Sequence, residues 1–234
     1  RPDDLSYEAG AIKRFNGLGI DVEVKELPVD IDQQAFTEQI QALNRDDAVH
    51  GVLIFRPLPR QLDESVLKYV LSPEKDMDAM NPDNLAKVFA ADSSGYPPCT
   101  PEAVMELLAH YQVDLAGKNV VILGRSMVVG KPLAMMMLAK NATVTICHSK
   151  TQNLPAIARQ ADVLVACVGK AKMVNAEYVS PGQTVVDVGI NMDEDGKLCG
   201  DVDFAAVESI VARITPAPGG VGGVTTSCLA AHVL

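Results

Sequence analysis

The stretch 119–134, NVVILGRSMVVGKPLA, has residue types suited to holding a pyrophosphate. A β-branched run enters a tight turn at Gly124, followed by Arg125 and Ser126, and Gly130 opens the next helical stretch. Glycine lets the backbone approach phosphate closely, and a helix start offers unpaired N–H groups and positive potential. Ser126 stands where the second glycine of G-x-G-x-x-G would be, and Gly130 is displaced. On its own the stretch therefore reads equally well as a turn between a buried strand and a helix. Dinucleotide sites for NAD place an acid roughly 20 residues further on, to bond the ribose 2′-hydroxyl. Here that region reads Thr145-Ile146-Cys147-His148-Ser149-Lys150-Thr151, with no acid. Its hydroxyls and Lys150, with the guanidinium of Arg125, suit a 2′-phosphate and favour NADP over NAD. The bland alternative is that Arg125 and Lys150 are solvated loop charges.

Two further loops follow apolar runs. One is Asp187-Val188-Gly189-Ile190-Asn191. The other, residues 215–223, contains Pro218, Gly219 and Gly220 and lacks the polar residues of a flexible linker. It reads as a rigid wall against a flat ligand.

Residues 119–123, 142–147, 163–167 and 184–188 are short apolar strand candidates, alternating with helical stretches at 131–140 and 154–160. Before them, 22–26 and 51–55 read as strands and 32–43 and 64–71 as helices, with Phe36, Ile40 and Leu43 on one face. Such alternation predicts an α/β fold of βαβ units with a mainly parallel, doubly wound sheet. Residues 91–101, ADSSGYPPCTP, break the rhythm, and Thr100-Pro101-Glu102 then provides a cap, a first-turn proline and an early acid. Two α/β lobes joined near residue 98 are expected, with a cleft between them as the default place for a ligand.

The 234 residues carry a net charge of −10, are 48% hydrophobic and only 4% aromatic, and contain no tryptophan. That balance repels a phosphate backbone and leaves few rings for stacking, which argues against a nucleic-acid binder. No apolar run reaches the roughly 20 residues of a membrane helix. The five cysteines are odd in number and scattered through apolar runs, as expected of reduced thiols, and no metal-ligand spacing is present. The cytosol is the expected compartment, with the mitochondrial matrix as the alternative. The absence of an initial methionine and an apolar last segment read as trimmed ends.

GRSMVVGKP, CHSKT, DVGIN, GDVDF and ITPAPGGVG occur in that order, preceded by Ser6-Tyr7, LPVD, VHGVLIFRPLP, SPEKDMDAMNP and PPCTP. In these motifs the chain resembles the bifunctional methylenetetrahydrofolate dehydrogenase/cyclohydrolase (FolD) family over essentially its whole length. The resemblance implies oxidation of 5,10-methylenetetrahydrofolate by NADP⁺, then hydrolysis of the methenyl product to 10-formyltetrahydrofolate, in one-carbon metabolism and purine biosynthesis. It implies a folate-side catalytic lobe at 1–97, a Rossmann-type NADP lobe at 98–223, and the start of a returning helix at 224–234. It also implies a homodimer. Gly124, Arg125 and Ser126 would hold the cofactor's phosphates and ribose, Ser149 would lie near the 2′-phosphate, and Ile190 near the nicotinamide. Tyr7 and Asp78 would face the tetrahydrofolate, as the catalytic pair, with Pro218, Gly219 and Gly220 beside the substrate. Asp78 would bond the pterin's amino edge; an ordinary turn carboxylate is the other reading, and Asp76 fits that role equally well.

Seven residues in four places depart from the family pattern. The lysine expected one helical turn after Tyr7 is Ala11, and Lys13 is rotated away. Phe55 replaces a glutamine, Ala79-Met80-Asn81 replaces Gly-Phe-His, and Gly223-Val224 replaces Pro-Met. Hydride loss from a carbon between two nitrogens needs orientation, whereas hydrolysis needs a titratable group. The pattern therefore predicts a working dehydrogenase and a weak or absent cyclohydrolase. An altered substrate, and a non-catalytic NADP-binding protein, are the two other readings.

Overall fold

A computed structural model describes residues 2–234, with side chains described at Leu5 and from Tyr7 onward. The chain forms two compact units. One comprises the residues up to Cys99 together with Thr226–Leu234; the other is Thr100–Thr225.

The first unit is mainly helical. Its helices are α1 (Pro2–Gly17), α2 (Gln33–Arg45), α3 (Glu64–Leu67) and α4 (Pro82–Ala90). Asp32 caps α2, its side chain accepting the Ala35 N–H at 2.8 Å. Phe36 and Ile40, four residues apart, then turn inward to a core with Leu62, Leu67, Leu71 and Met80. Asn81 caps α4 and Pro82 occupies its first turn. The strands expected at 22–26 and 51–55 do not form ladders. Val22 and Val24 are exposed, and only Val52 finds a partner, in an isolated parallel bridge to Asp76. An apolar alternating run becomes a strand only where a neighbour accepts its backbone bonds, and among the described residues 22–26 form no ladder or bridge. The helix expected over 64–71 likewise stops at Leu67 and continues as turns.

The second unit is a doubly wound α/β sheet. Its parallel strands β1 (Asn119–Leu123), β2 (Thr143–Cys147), β3 (Val163–Ala166), β4 (Thr184–Asp187) and β7 (Arg213–Ile214) lie in the order β2-β1-β3-β4-β7. The first three are linked by α6 (Gly130–Ala139) and α7 (Leu154–Ala158). A short antiparallel pair, β5 (Asn191–Met192) with β6 (Leu198–Cys199), and α8 (Phe204–Val207) lie between β4 and β7. The helices α5 (Cys99–His110) and α9 (Val221–Ala231) carry the chain across the unit boundaries. β3 is buried at every position and β1 at all but its first, as expected of parallel strands covered on both faces. Ile122, Leu123 and Leu164 are fully buried, each contributing about 1.5–3 kcal/mol of transfer free energy. Among the described residues no helix is long and apolar enough to cross a membrane.

Candidate active site

In the second unit the strand ends carry the loops singled out above. Leu123 pairs with Cys147 and Ala166, and Ala166 with Asp187, so β2, β1, β3 and β4 end level with one another. The backbone carries that alignment one step beyond the strands: Gly124 N–H donates to Cys147 O, Cys167 N–H to Leu123 O, and Val188 N–H to Ala166 O, each at 2.9 Å. Chain order reverses between β1 and β3, which is where doubly wound sheets bind nucleotides. Gly124 sits at that point with φ +131°, and a Cβ there would collide with the Cys167 carbonyl. A Cβ on Gly130 would collide with the carbonyl of Gly124. The two glycines thus let the turn fold onto the start of α6.

Arg125, Ser126, Met127 and Val128 are exposed around that helix start, and Ser126 Oγ accepts the Val129 N–H at 3.0 Å. Ser149 and Lys150 are exposed just beyond β2, on a turn closed by the His148 N–H donating to Thr151 Oγ1 at 2.9 Å. Ile190 is 67% exposed beyond β4. Pro218 and Gly219 are exposed between β7 and α9, and Ala217–Pro218 is a cis peptide. Exposed phosphate-reaching side chains, a glycine turn at the switch point and open backbone at a helix start fit a dinucleotide. No acid stands at the end of β2 to oppose a 2′-phosphate.

Two carboxylates, Asp187 of the DVG motif and Asp201 of GDVD, organise these loops. Asp201 is fully buried: Oδ2 accepts the N–H groups of Val168 (2.5 Å) and Gly169 (3.1 Å), and Oδ1 accepts Lys170 N–H (2.8 Å) and Asn191 Nδ2 (2.9 Å). Asp187 accepts the N–H groups of Gly189, Asp201 and Val202, each at 3.0 Å. Burial pushes its carboxyl up to about 6, against the three N–H bonds that favour the charged form. The available signal was an acid ending an apolar strand and another beside a glycine, in DVG and GDVD.

In the first unit, Tyr7 lies on α1 with Ala11 one turn on; Ala11 is buried and Lys13 exposed. The Phe55 ring meets Tyr7 edge-on, with centroids 6.0 Å apart. Burial, then the nearby Cys99, Asp78 and Cys228, hold the Tyr7 phenol well above its ordinary value, so it remains a neutral donor at neutral pH. The two acids of EKDMDAMN separate by role. Asp76 is the turn carboxylate: it is buried and accepts Met80 N–H at 3.0 Å and Asn81 N–H at 2.7 Å. Asp78 is left for other work. Its Oδ1 accepts Cys99 N–H at 2.8 Å and its Oδ2 faces Arg56 Nη2 at 3.9 Å. Burial raises its pKa, while the Cys99 N–H and Arg56 pull the other way. Tyr7 and Asp78 are legible in their motifs, whereas nothing in the sequence marks Arg56 for its place beside Asp78.

Comparison with known proteins matches two stretches of the chain. Residues 1–78 match the family model "Tetrahydrofolate dehydrogenase/cyclohydrolase, catalytic domain", and residues 98–234 match its "NAD(P)-binding domain". A "Bifunctional protein FolD" of Clostridioides difficile is 58% identical over 234 residues, covering all of this chain and 82% of the relative. The solved FolD methylenetetrahydrofolate dehydrogenase/cyclohydrolase of Campylobacter jejuni superposes with a TM-score of 0.97 at 39% identity, covering 100% of this chain and 83% of that one. The Trypanosoma brucei enzyme, solved with NADP cofactor and inhibitor, gives 0.94 at 34% identity, covering 100% and 82%. With family models matching residues 1–78 and 98–234 and relatives matched along its full length, the chain belongs to the tetrahydrofolate dehydrogenase/cyclohydrolase family.

Proposed function

We propose that the chain oxidises 5,10-methylenetetrahydrofolate to 5,10-methenyltetrahydrofolate, with NADP⁺ as hydride acceptor. The observation that carries this reading is the glycine turn at the switch point of the sheet, with Arg125, Ser149 and Lys150 exposed at the ends of adjacent strands. NADP⁺, when bound, supplies the acceptor carbon for the hydride. Gly124 and Ser126 bind the phosphates and ribose, Arg125 and Ser149 the 2′-phosphate, and Ile190 covers the nicotinamide end. Asp78 accepts N–H groups from the pterin's amino edge, Tyr7 donates its phenolic proton to a folate heteroatom, and the Pro218-Gly219-Gly220 segment walls the substrate. These groups orient a carbon flanked by two nitrogens, whose hydride loss leaves a resonance-stabilised amidinium, so no acid or base is required. Water activation has no such shortcut, and with alanine at position 11 the hydrolytic step is slow.

The test is NADPH formation from methylenetetrahydrofolate by the purified chain, beside separate calorimetric titrations of folate and NADP⁺. Binding of both without turnover would leave a nucleotide-binding protein. NADP⁺ binding without folate binding would point to another substrate. Arg125→Ala is expected to raise the KM for NADP⁺ about tenfold, the scale of one lost charge-assisted bond, and to leave that for NAD⁺ unchanged. An equal change for both cofactors would remove Arg125 from the 2′-phosphate.

This reaction places the chain in one-carbon folate metabolism, supplying purine biosynthesis, in the cytosol. A homodimer is part of the same reading: β2 is an edge strand, with Thr143 and Thr145 exposed, and such an edge can pair with a second copy. Light scattering on the eluting protein should give twice 24.9 kDa; a monomer mass at micromolar concentration would overturn it.

A further inference from the structure

The two oxygens of Asp78 have different surroundings. Oδ1 is committed to the Cys99 N–H at 2.8 Å. Oδ2 faces Arg56 Nη2 at 3.9 Å, too long for a hydrogen bond but close enough for Coulomb attraction in a half-buried place. Arg56 is itself shared, with Nη1 3.6 Å from Glu64 Oε1 at the start of α3. The guanidinium thus lies between an inner carboxylate and an outer one; its side chain is 20% exposed and that of Glu64 42%. It leads into Pro57 and Pro59, whose rings limit backbone freedom.

We propose that Arg56 is a positioning residue for the substrate: it fixes Asp78 and keeps Oδ2 charged, so that this oxygen accepts N–H groups from an amino-substituted heterocycle. The inference rests on the folate reading above and deepens it. A carboxylate accepts two parallel N–H bonds, whereas a protonated carboxyl presents one O–H donor and loses that pairing. Burial works against the charged form of Asp78, and Asp76 adds to that effect. Among the described residues, the other groups that act on Asp78 are the Cys99 N–H at the start of α5 and Asp76, and beyond Cys99 lies His232, its Nδ1 3.7 Å from Cys99 Sγ and 2.8 Å from the Met77 carbonyl. Among the described residues Arg56 is the cation that acts on Asp78, with Glu64 on its outer side. Arg56 could otherwise serve only to tie residues 55–59 to α3, and the pH dependence of substrate affinity separates the two roles.

The measurement is the KM for methylenetetrahydrofolate across the pH range in which Asp78 ionises. Arg56→Leu should raise that KM about tenfold, the scale of one lost charge-assisted contact, with the largest rise toward the acid end of the range. It should move the acid limb to higher pH and leave the KM for NADP⁺ unchanged, and Arg56→Lys should restore most of the loss. An unchanged KM and acid limb in Arg56→Leu overturns the proposal. A loss equal at every pH and not repaired by lysine also overturns it, in favour of the structural role. If Arg56→Leu does not fold, Glu64→Gln decides: releasing Arg56 toward Asp78 should move the acid limb to lower pH, and an unmoved limb overturns the proposal. A wild-type chain that neither binds nor oxidises methylenetetrahydrofolate overturns the folate reading and this inference together. An active wild type with unmoved variants overturns this inference alone.

Discussion

Ala11→Lys is expected to raise hydrolysis of methenyltetrahydrofolate by roughly a hundredfold, the low end of what a positioned acid–base group contributes. Position 11 follows Tyr7 by one helical turn, so the two side chains project from the same face of α1. Ala11 is 9% exposed. A lysine there would lay its stem along apolar surroundings and carry its amine toward the Tyr7 end. Burial keeps Tyr7 a phenol, and Asp78 is engaged by the Cys99 N–H and by Arg56. An amine has a pKa that burial lowers toward the working pH. The dehydrogenase rate should change only a few-fold, since hydride transfer depends on orientation. Loss of methenyl absorbance in the absence of NADP⁺ follows the hydrolysis, and NADPH formation follows the oxidation. A native chain that hydrolyses the methenyl compound as fast as it forms it would sink the assignment, as would a folded, oxidising Ala11→Lys variant with no gain.

Asp201→Ala should cost about 3–5 kcal/mol of stability. Four donors lose their acceptor together: the N–H groups of Val168, Gly169 and Lys170 and the Asn191 amide. A buried donor left without a partner costs about 1–3 kcal/mol, and Gly169 and Lys170 are exposed enough for water to replace part of the loss. The same bonds tie the loop after β3 to the segment after β4 that carries Ile190. The KM for NADP⁺ should therefore rise as well. Asp201→Asn retains one acceptor oxygen but turns an NH₂ toward other donors, so it should fall between wild type and alanine. Urea unfolding gives the stability change and steady-state kinetics the KM. An alanine variant that unfolds within about 0.5 kcal/mol of wild type, the range of ordinary surface substitutions, would show that the loops hold themselves.

The two halves of the chain differ in how much of their structure could be read from residues. In the second unit, continuous apolar runs are what parallel strands buried on both faces require, so β1 to β4 stood out within a residue or two of their ends. The Gly124 turn was legible for the same reason, since a glycine between such a strand and a helix is a local necessity. In the first unit the runs at 22–26 and 51–55 carry strand-like residues, yet only Val52 is bridged. Propensity described those segments; partners decided them.

Asp76 and Asp78 show the same division at a single turn. Two acids one residue apart have equal claims as turn carboxylates when only EKDMDAMN is considered. The fold points Asp76 at the N–H groups of Met80 and Asn81, and brings Arg56 and the Cys99 N–H, 22 and 21 residues away, to Asp78. The Asp201 cage likewise gathers donors 31 to 33 residues upstream.

By itself the sequence determined the family, the α/β alternation, the glycine turn, the missing acid after β2 and the alanine at position 11. All of these are short-range properties: periodicity, turn chemistry and residue identity at a position. Tertiary structure alone decided which of the two carboxylates is tied into its own turn, which cation stands beside the other, and which buried acids hold the loops after β3 and β4. Pairing of charges and satisfaction of buried donors depend on where the chain returns in space, and no local pattern records that.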